Sequence, residues 1–393
     1  DTDTRWREVG ILAAAMVFLC ARRLYSFLSP SGKAGSGVFS PDGKRVVTLL
    51  EGSSRSVGPE LIRTVQSIFT RADFPVQFER VDVDEEDLAP TPENDYCTVP
   101  ADVIKSLERT RVCLKGTFLA SPLKGHNSFD RALAERFQLF AHVVHVHTPK
   151  MTSGMEFEQD IDFIVVRENT EGEYRGLEHE VQEGVVENIK VVTEEASERI
   201  AQFALDMATR LKLSRVISVH KANIMKLSDG LFLECCNRLS KSYPNLTMEN
   251  LIVDNACMQM ILHPHKFHNS VLVTTNLYGS IMTAIAGALA GGMIGGYNVG
   301  LGDMAVFEQG HRHAQRDISN KNLVNPIGIL RSASFLLHHI GEDKHAIRLT
   351  QALDNILQEG RVLPRDVGGR ARTSQVADEV VRQLELISRQ QDR

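Results

Sequence analysis

A chain of 393 residues, 42% hydrophobic and 24% charged, is long enough for two packed domains and has the balance of an ordinary globular protein, which excludes disorder over most of its length. A formal net charge of -6, with no dense lysine–arginine stripe, argues against nucleic-acid binding, which needs a basic footprint. Six cysteines (Cys20, Cys97, Cys113, Cys235, Cys236 and Cys257) show no CxxC spacing and read as free thiols of a reducing compartment.

The first predicted feature is the apolar run Val9–Cys20, VGILAAAMVFLC, flanked by Arg5, Arg7, Arg22 and Arg23. A membrane-spanning helix needs about 20 apolar residues. The shorter run is therefore read as an organellar import segment over residues 1–25, cut after Tyr25, with a retained membrane tether as the alternative. Residues 26–43 are rich in glycine, serine and proline and read as a linker. Ordered structure is expected to begin with a strand at Arg45–Leu50, followed by a helix over Pro59–Ala72 and a strand over Val76–Val83. Asp84–Pro100, acidic and proline-rich, reads as a surface insertion.

Strand and helix signals then alternate through Arg111–Gly116, the helix around Arg131–Phe140, Ala141–Thr148, Ile161–Asn169, RVISVHK (Arg215–Lys221), Glu249–Asn255 and Ser270–Asn276. That alternation predicts an α/β fold with a largely parallel sheet and helices on both faces. Between two of these strands, Gly176–Thr193 alternates apolar and polar residues and is expected to form two short antiparallel strands, an exposed ribbon that seeks a partner chain. Ile281–Gly296 is apolar on all sides and is expected to be a buried helix at a domain or subunit interface.

The chemistry-bearing stretches narrow the options. No Walker A motif, no glycine fingerprint after a strand and no nucleophile elbow is present. His142, His145 and His147, and further on His311 and His313, raise the question of a metal; with no third ligand evident, satisfied or solvated histidines are the preferred reading. Polar groups instead gather where strands end: Arg167, Glu168, Asn169 and Tyr174, then Lys221 and Asn223, then Asp254 and Asn255. Ligands of open α/β sheets bind beyond the carboxyl ends of strands, so these groups are expected to line one cleft. There Arg167 could grip a carboxylate, Lys221 and Tyr174 could move protons, and Asp254 could hold a hard divalent cation. Capping and strand-end hydrogen bonding are the blander alternative.

Three stretches in this order, VVRENTEGEYRGLEHEVQEGVVENIKVVT, VHKANIMKLSDGLFLECC and NLYGS, resemble the β-decarboxylating isocitrate/isopropylmalate dehydrogenase family, and within it the mitochondrial NAD-dependent isocitrate dehydrogenases. The resemblance covers Arg45–Ile387. It implies a large α/β domain from residues 44–140 and 292–393, and a small dimerisation domain, 141–291, carrying a β clasp at 172–194. It further implies substrate or effector contacts at Ser128, Arg167 and Asn223, proton transfer by Lys221 and Tyr174, a cofactor contact at Asn325 and a metal ligand at Asp254.

The sequence departs from the catalytic pattern at several points. Asp130 stands for an asparagine, Ala134 and Val144 for two substrate arginines, and Ser280 and Ala284 for a metal-binding aspartate pair one helical turn apart. The loops Glu51–Glu60 and Gly310–Asp317 also differ. Lys221 and Asp254, which the family sends across the dimer interface, are retained. The resemblance therefore implies a non-catalytic regulatory subunit of a hetero-oligomeric enzyme in the mitochondrial matrix. NAD and Mg²⁺ or Mn²⁺ are expected in a catalytic partner's site and none on this chain alone. Two alternatives are a structural subunit of an inner-membrane assembly, tethered through Val9–Cys20, and an active homodimer with an altered substrate.

Overall fold

The computed structural model describes residues 37–83, 98–119, 128–148, 151, 161–311 and 313–391. The Val9–Cys20 run, residues 26–36 of the expected linker and residues 84–97 of the acidic insertion lie outside the described residues. Strands are β1 (Arg45–Leu50), β2 (Val76–Arg80), β3 (Val112–Lys115), β4 (Ala141–His147), β5 (Asp162–Glu168), β6 (Glu178–Gln182), β7 (Val185–Asn188), β8 (Arg215–His220), β9 (Thr247–Ile252), β10 (Ser270–Thr274), β11 (Gly295–Val299) and β12 (Ala305–Gln309). Helices are α1 (Gly58–Arg71), α2 (Ala101–Thr110), α3 (Phe129–Arg136), α4 (Glu194–Arg210), α5 (Ser228–Ser240), α6 (Val253–Leu262), α7 (Asn276–Leu289), α8 (Ile327–His339), α9 (Asp343–Glu359) and α10 (Thr373–Gln391). A short 3-10 helix, Gly172–Arg175, precedes β6.

Among the described residues, β1–β5 and β8–β12 form a single ten-stranded sheet in the order β2-β1-β3-β12-β11-β4-β5-β10-β8-β9. Pairing is parallel at both ends, but the consecutive pairs β12–β11, β11–β4 and β4–β5 are antiparallel. The expected α/β fold is thus present, with a mixed middle to the sheet. Side chains along a strand point alternately to opposite faces. Val143, Ile164, Val166, Val271 and Val273 accordingly join one apolar cluster with α4 and α8, while Val144, Val146, Phe163, Val165 and Leu272 join another with α6 and α7. Both faces are covered, which is why these strands read as continuous apolar runs rather than alternating ones.

Several local outcomes differ from the sequence reading; the helix expected over Ile281–Gly296, for one, ends at Leu289, and β11 begins at Gly295. Asp254 lies not on a strand but in the first turn of α6, because β9 ends at Ile252. α2, whose residues Val103, Ser106, Leu107 and Thr110 are buried, had no counterpart in the sequence reading. Helix α7 is not buried all round: Ile281, Ala284 and Ala288 form an exposed apolar stripe at helical spacing. No helix among the described residues is long and apolar enough to cross a membrane.

The expected ribbon is the antiparallel pair β6–β7, every residue of which is exposed. It leaves the body of the chain at the 3-10 helix and returns at α4, whose start is fixed by the Thr193 hydroxyl accepting from the Ala196 amide at 3.2 Å. Elsewhere the backbone is packed tightly enough to demand glycine: a Cβ at Gly116 would sit 2.1 Å from the Glu51 carbonyl oxygen. That contact presses the loop after β1 onto the end of β3, just ahead of Phe118 and Leu119.

Candidate functional site

A cleft of ≈ 360 Å³ opens between the segment after β3, helix α3, the end of β5, the 3-10 helix, the start of α7 and the loop carrying Ala314 and Arg316. Helix α3 enters it N-terminus first, with the Ser128 hydroxyl capping the Arg131 amide at 3.3 Å. β5 delivers Arg167, which is buried, donates to the Asn169 side-chain oxygen at 2.8 Å, and lies 5.5 Å from the centre of the Tyr174 ring. That geometry is a cation–π contact. Arg167, Asn169 and Tyr174 therefore do converge, as expected from their strand-end positions, and Ser128, expected from the resemblance, joins them.

Glu168 does not line the cleft. It is buried and accepts from the Thr170 and Glu171 amides at 2.9 and 2.8 Å, closing the turn after β5, while burial raises its pKa. This is the blander strand-end role.

The sequence reading missed several lining groups: Arg131, Glu135, Arg175, Arg316 and Asn276. Arg131 and Glu135 could have been found from the Ser128 cap, since they follow it by three and seven residues, close to one helical face. Asn276 donates through Nδ2 to the Glu171 carbonyl at 2.8 Å, and its buried Oδ1 meets no hydrogen-bond partner among the described residues. A buried acceptor of this kind costs free energy until a donor reaches it.

The lost positions are also visible. Val144 is in the core, and Ala134 presents only a methyl group to the cleft. Asp130, where the resemblance calls for an asparagine, is held by the buried Lys115 ammonium at 2.8 Å, and Lys115 also meets Glu308 at 2.7 Å. Ser280 and Ala284 bring no anionic oxygen to α7, so a hard cation lacks the carboxylate set it needs there. Among the described residues no group of three or more histidine, cysteine, aspartate or glutamate side chains could hold a metal ion. His145 instead meets Asp162 at 2.7 Å and stacks on His147, and His311 stacks on His313.

Lys221 and Asp254 do not line this cleft, so the expectation of one shared cleft is corrected. The Lys221 ammonium donates to Asp254 Oδ1 at 2.6 Å in a part-exposed pair at the end of β8, and this hydrogen bond holds the Asp254 carboxyl below its ordinary pKa. Asn223, in the turn that follows, is exposed. The turn is anchored by Asp229, fully buried, which accepts from the Lys221 amide at 2.7 Å and from Lys190 Nζ at 2.7 Å. Lys190 also meets Glu173 at 3.1 Å, beside Tyr174. Asn325 is likewise engaged: its Nδ2 donates to Asp366, and its Oδ1 caps the Ile327 amide at 2.9 Å at the start of α8.

Gly279, on α7, sits against Arg167: a Cβ there would approach Arg167 Cγ and Thr274 Oγ1 to 2.3 Å. Gly279→Ala is therefore expected to push Arg167 out of place and to destabilise the fold by about 1–3 kcal/mol, read as a lowered midpoint in thermal unfolding.

Residues 46–380 match the family of isocitrate/isopropylmalate dehydrogenases. The chain is 38% identical over 347 residues, 87% of its length and 91% of the relative's, to a mitochondrial regulatory subunit of isocitrate dehydrogenase (NAD) from Dictyostelium discoideum. It is 40% identical, over 87% of its length and 90% of the relative's, to a mitochondrial regulatory subunit of the same enzyme in Arabidopsis thaliana. To the human mitochondrial beta subunit it is 38% identical, over 88% of its length and 87% of the relative's. Among solved structures, isocitrate dehydrogenase from Methylococcus capsulatus superposes with a TM-score of 0.78 at 32% identity, over 86% of this chain and 99% of that one. The motifs, the mixed ten-stranded sheet and these matches agree: the chain belongs to the isocitrate/isopropylmalate dehydrogenase family.

Proposed function

We propose that the chain is a non-catalytic regulatory subunit of a hetero-oligomeric, mitochondrial NAD-dependent isocitrate dehydrogenase, acting in the matrix and lending Lys221 and Asp254 to a catalytic partner. The similarity to mitochondrial regulatory and beta subunits over nearly nine-tenths of the chain supports the assignment. The observation that carries it is the separation of two sets of groups. Arg167 and Tyr174 stand in the chain's own cleft, whereas the Lys221–Asp254 pair lies outside it at the surface. Around that pair the surface is apolar and exposed, at Ile224, Leu227 and Met258. Such a surface calls for a partner.

The partner's reaction is hydride transfer from isocitrate to NAD⁺, followed by loss of the β-carboxylate to give 2-oxoglutarate. NAD and the divalent cation are assigned to the partner's site, where the cation would supply Lewis-acid polarisation of a substrate oxygen. On this chain the residues do not fit a metal: Ser280 and Ala284 offer no carboxylate, and Asp254 alone supplies one ligand group. What the chain contributes is a positioned ammonium, able to give or take a proton at the substrate, and one carboxylate oxygen set beside it. The buried Asp229 fixes the Lys221 amide, and the Lys221 ammonium in turn holds the Asp254 carboxylate.

The reading predicts that the purified chain alone does not reduce NAD⁺ with isocitrate and Mg²⁺ or Mn²⁺. Turnover in the ordinary enzymatic range of about 1–10³ per second by the chain alone would contradict it.

A further inference from the structure

The cleft of this chain is lined by Arg131, Arg167, Arg175 and Arg316, far more positive charge than its two carboxylates, Asp130 and Glu135, can balance. Asp130 is taken by the buried Lys115. Glu135 is placed differently. It stands one turn along α3 from Arg131, receives the Arg131 Nε at 3.0 Å, and lies 4.0 Å from the Arg175 guanidinium on the opposite wall. Arg131 itself reaches across the cleft, for a Cβ on Gly176 would meet its Nη1 at 3.0 Å. Two arginines from facing walls thus converge on one carboxylate, and that carboxylate belongs to the protein. Arg316 also lines the cleft and makes no ion pair among the described residues.

We infer that Glu135 is a tethered anion that occupies the carboxylate seat of this cleft, so that a free compact polycarboxylate binds only when Glu135 swings out. The inference rests on the regulatory reading above and concerns the regulation of the same cleft. A bound di- or tricarboxylate would take the seat between Arg131 and Arg175 with one carboxylate, reach Arg316 with another, and offer a hydroxyl or water to the Asn276 Oδ1. Arginine forks suit this ligand because their paired N–H donors match a carboxylate. A carboxylate fixed on the neighbouring helical turn competes at high effective concentration. When the open seat is a minor population, apparent affinity falls by that fraction. The side chain of Glu135 is 36% exposed, so it can leave without disturbing the core.

The test is calorimetric titration of the full chain with citrate at matched ionic strength, in wild type, Glu135→Gln and Glu135→Ala. Acetate and inorganic phosphate serve as parallel probes, and circular dichroism confirms that each variant is folded. The expected result is citrate binding about tenfold tighter in both variants, lost again when Arg175→Ala is added, with little gain for acetate or phosphate. Unchanged citrate affinity in both variants overturns the inference. Equal gains for all three anions overturn it too, because they would reflect net charge alone. The titration uses the isolated chain and needs no partner, so isocitrate oxidation by this chain alone would refute the regulatory reading without altering what Glu135→Gln does to citrate binding.

Discussion

Lys221→Ala is expected to lower the maximal rate of the complex reconstituted with its catalytic partner by about 10²–10⁴-fold, the contribution typical of a positioned proton-transfer group, and to leave assembly unchanged. The chain's own cleft does not include Lys221, and the ammonium is part-exposed beside an apolar surface, the placement expected of a group used in the partner's site. Asp254→Asn acts on a different quantity, raising the metal concentration needed for half-maximal activity, because it withdraws an anionic oxygen from the cation's shell. The two effects separate cleanly. The Lys221 hydrogen bond holds the Asp254 carboxyl below its ordinary pKa; without Lys221 that lowering is relieved, and an ordinary exposed aspartate is still ionised at neutral pH. Loss of Lys221 therefore spares the metal requirement. If both residues served only as strand-end and helix-start caps, substitution would lower thermal stability and leave rate and metal dependence where they were.

The second large effect is on assembly. In β6–β7 and its flank the side chains of Val181, Val185, Val186 and Ile189 are all exposed, Val186 at 63%, in a ribbon that no other strand of the described chain joins. Leu227 on the adjoining surface is 89% exposed. An apolar hairpin of two strands is marginal alone in water. Pairing with the partner's ribbon would bury these side chains at about 1.5–3 kcal/mol each. Placing aspartate at both Val185 and Ile189 forfeits that burial and sets charge in its place, for a loss of about 3–6 kcal/mol, or about 10²–10⁴-fold in association. Size-exclusion chromatography is expected to show dissociated chains, each with the circular dichroism of the folded state. A complex of unchanged size would refute the interface.

Which parts were legible in the sequence follows from the range over which each signal acts. β1 is found where its apolar run predicted it, at Arg45–Leu50, and the hairpin of the clasp followed from period-two alternation. These are local patterns. The antiparallel middle of the sheet was not legible, because the sequence reading marked no strands at β11 and β12, which pair with each other across a short turn, and because β11 also pairs with β4, far away in the chain, where tertiary packing sets the direction. The position of Asp254 was misread for a related reason: LIVDN looks like one apolar run, yet the chain turns into α6 at Val253. The cleft was half legible. Arg167 and Tyr174 stood in a motif and Ser128 followed from the resemblance; Arg175, beside Tyr174 in that motif, was passed over, and Arg131 and Arg316 come from separate segments whose approach only the fold reveals. The same holds for Asp229 and Lys190, a buried pair spanning 39 residues of sequence that gives Lys221 its setting.

Complementation tests most directly whether this subunit works in trans. A catalytic partner disabled at its own counterparts of Lys221 and Asp254, but intact in its substrate arginines and metal aspartates, is assembled with this chain and assayed for isocitrate-dependent NADH formation. The account predicts turnover in that complex and none when this chain carries Lys221→Ala. No turnover with the intact chain, in a complex shown to be assembled, would contradict it.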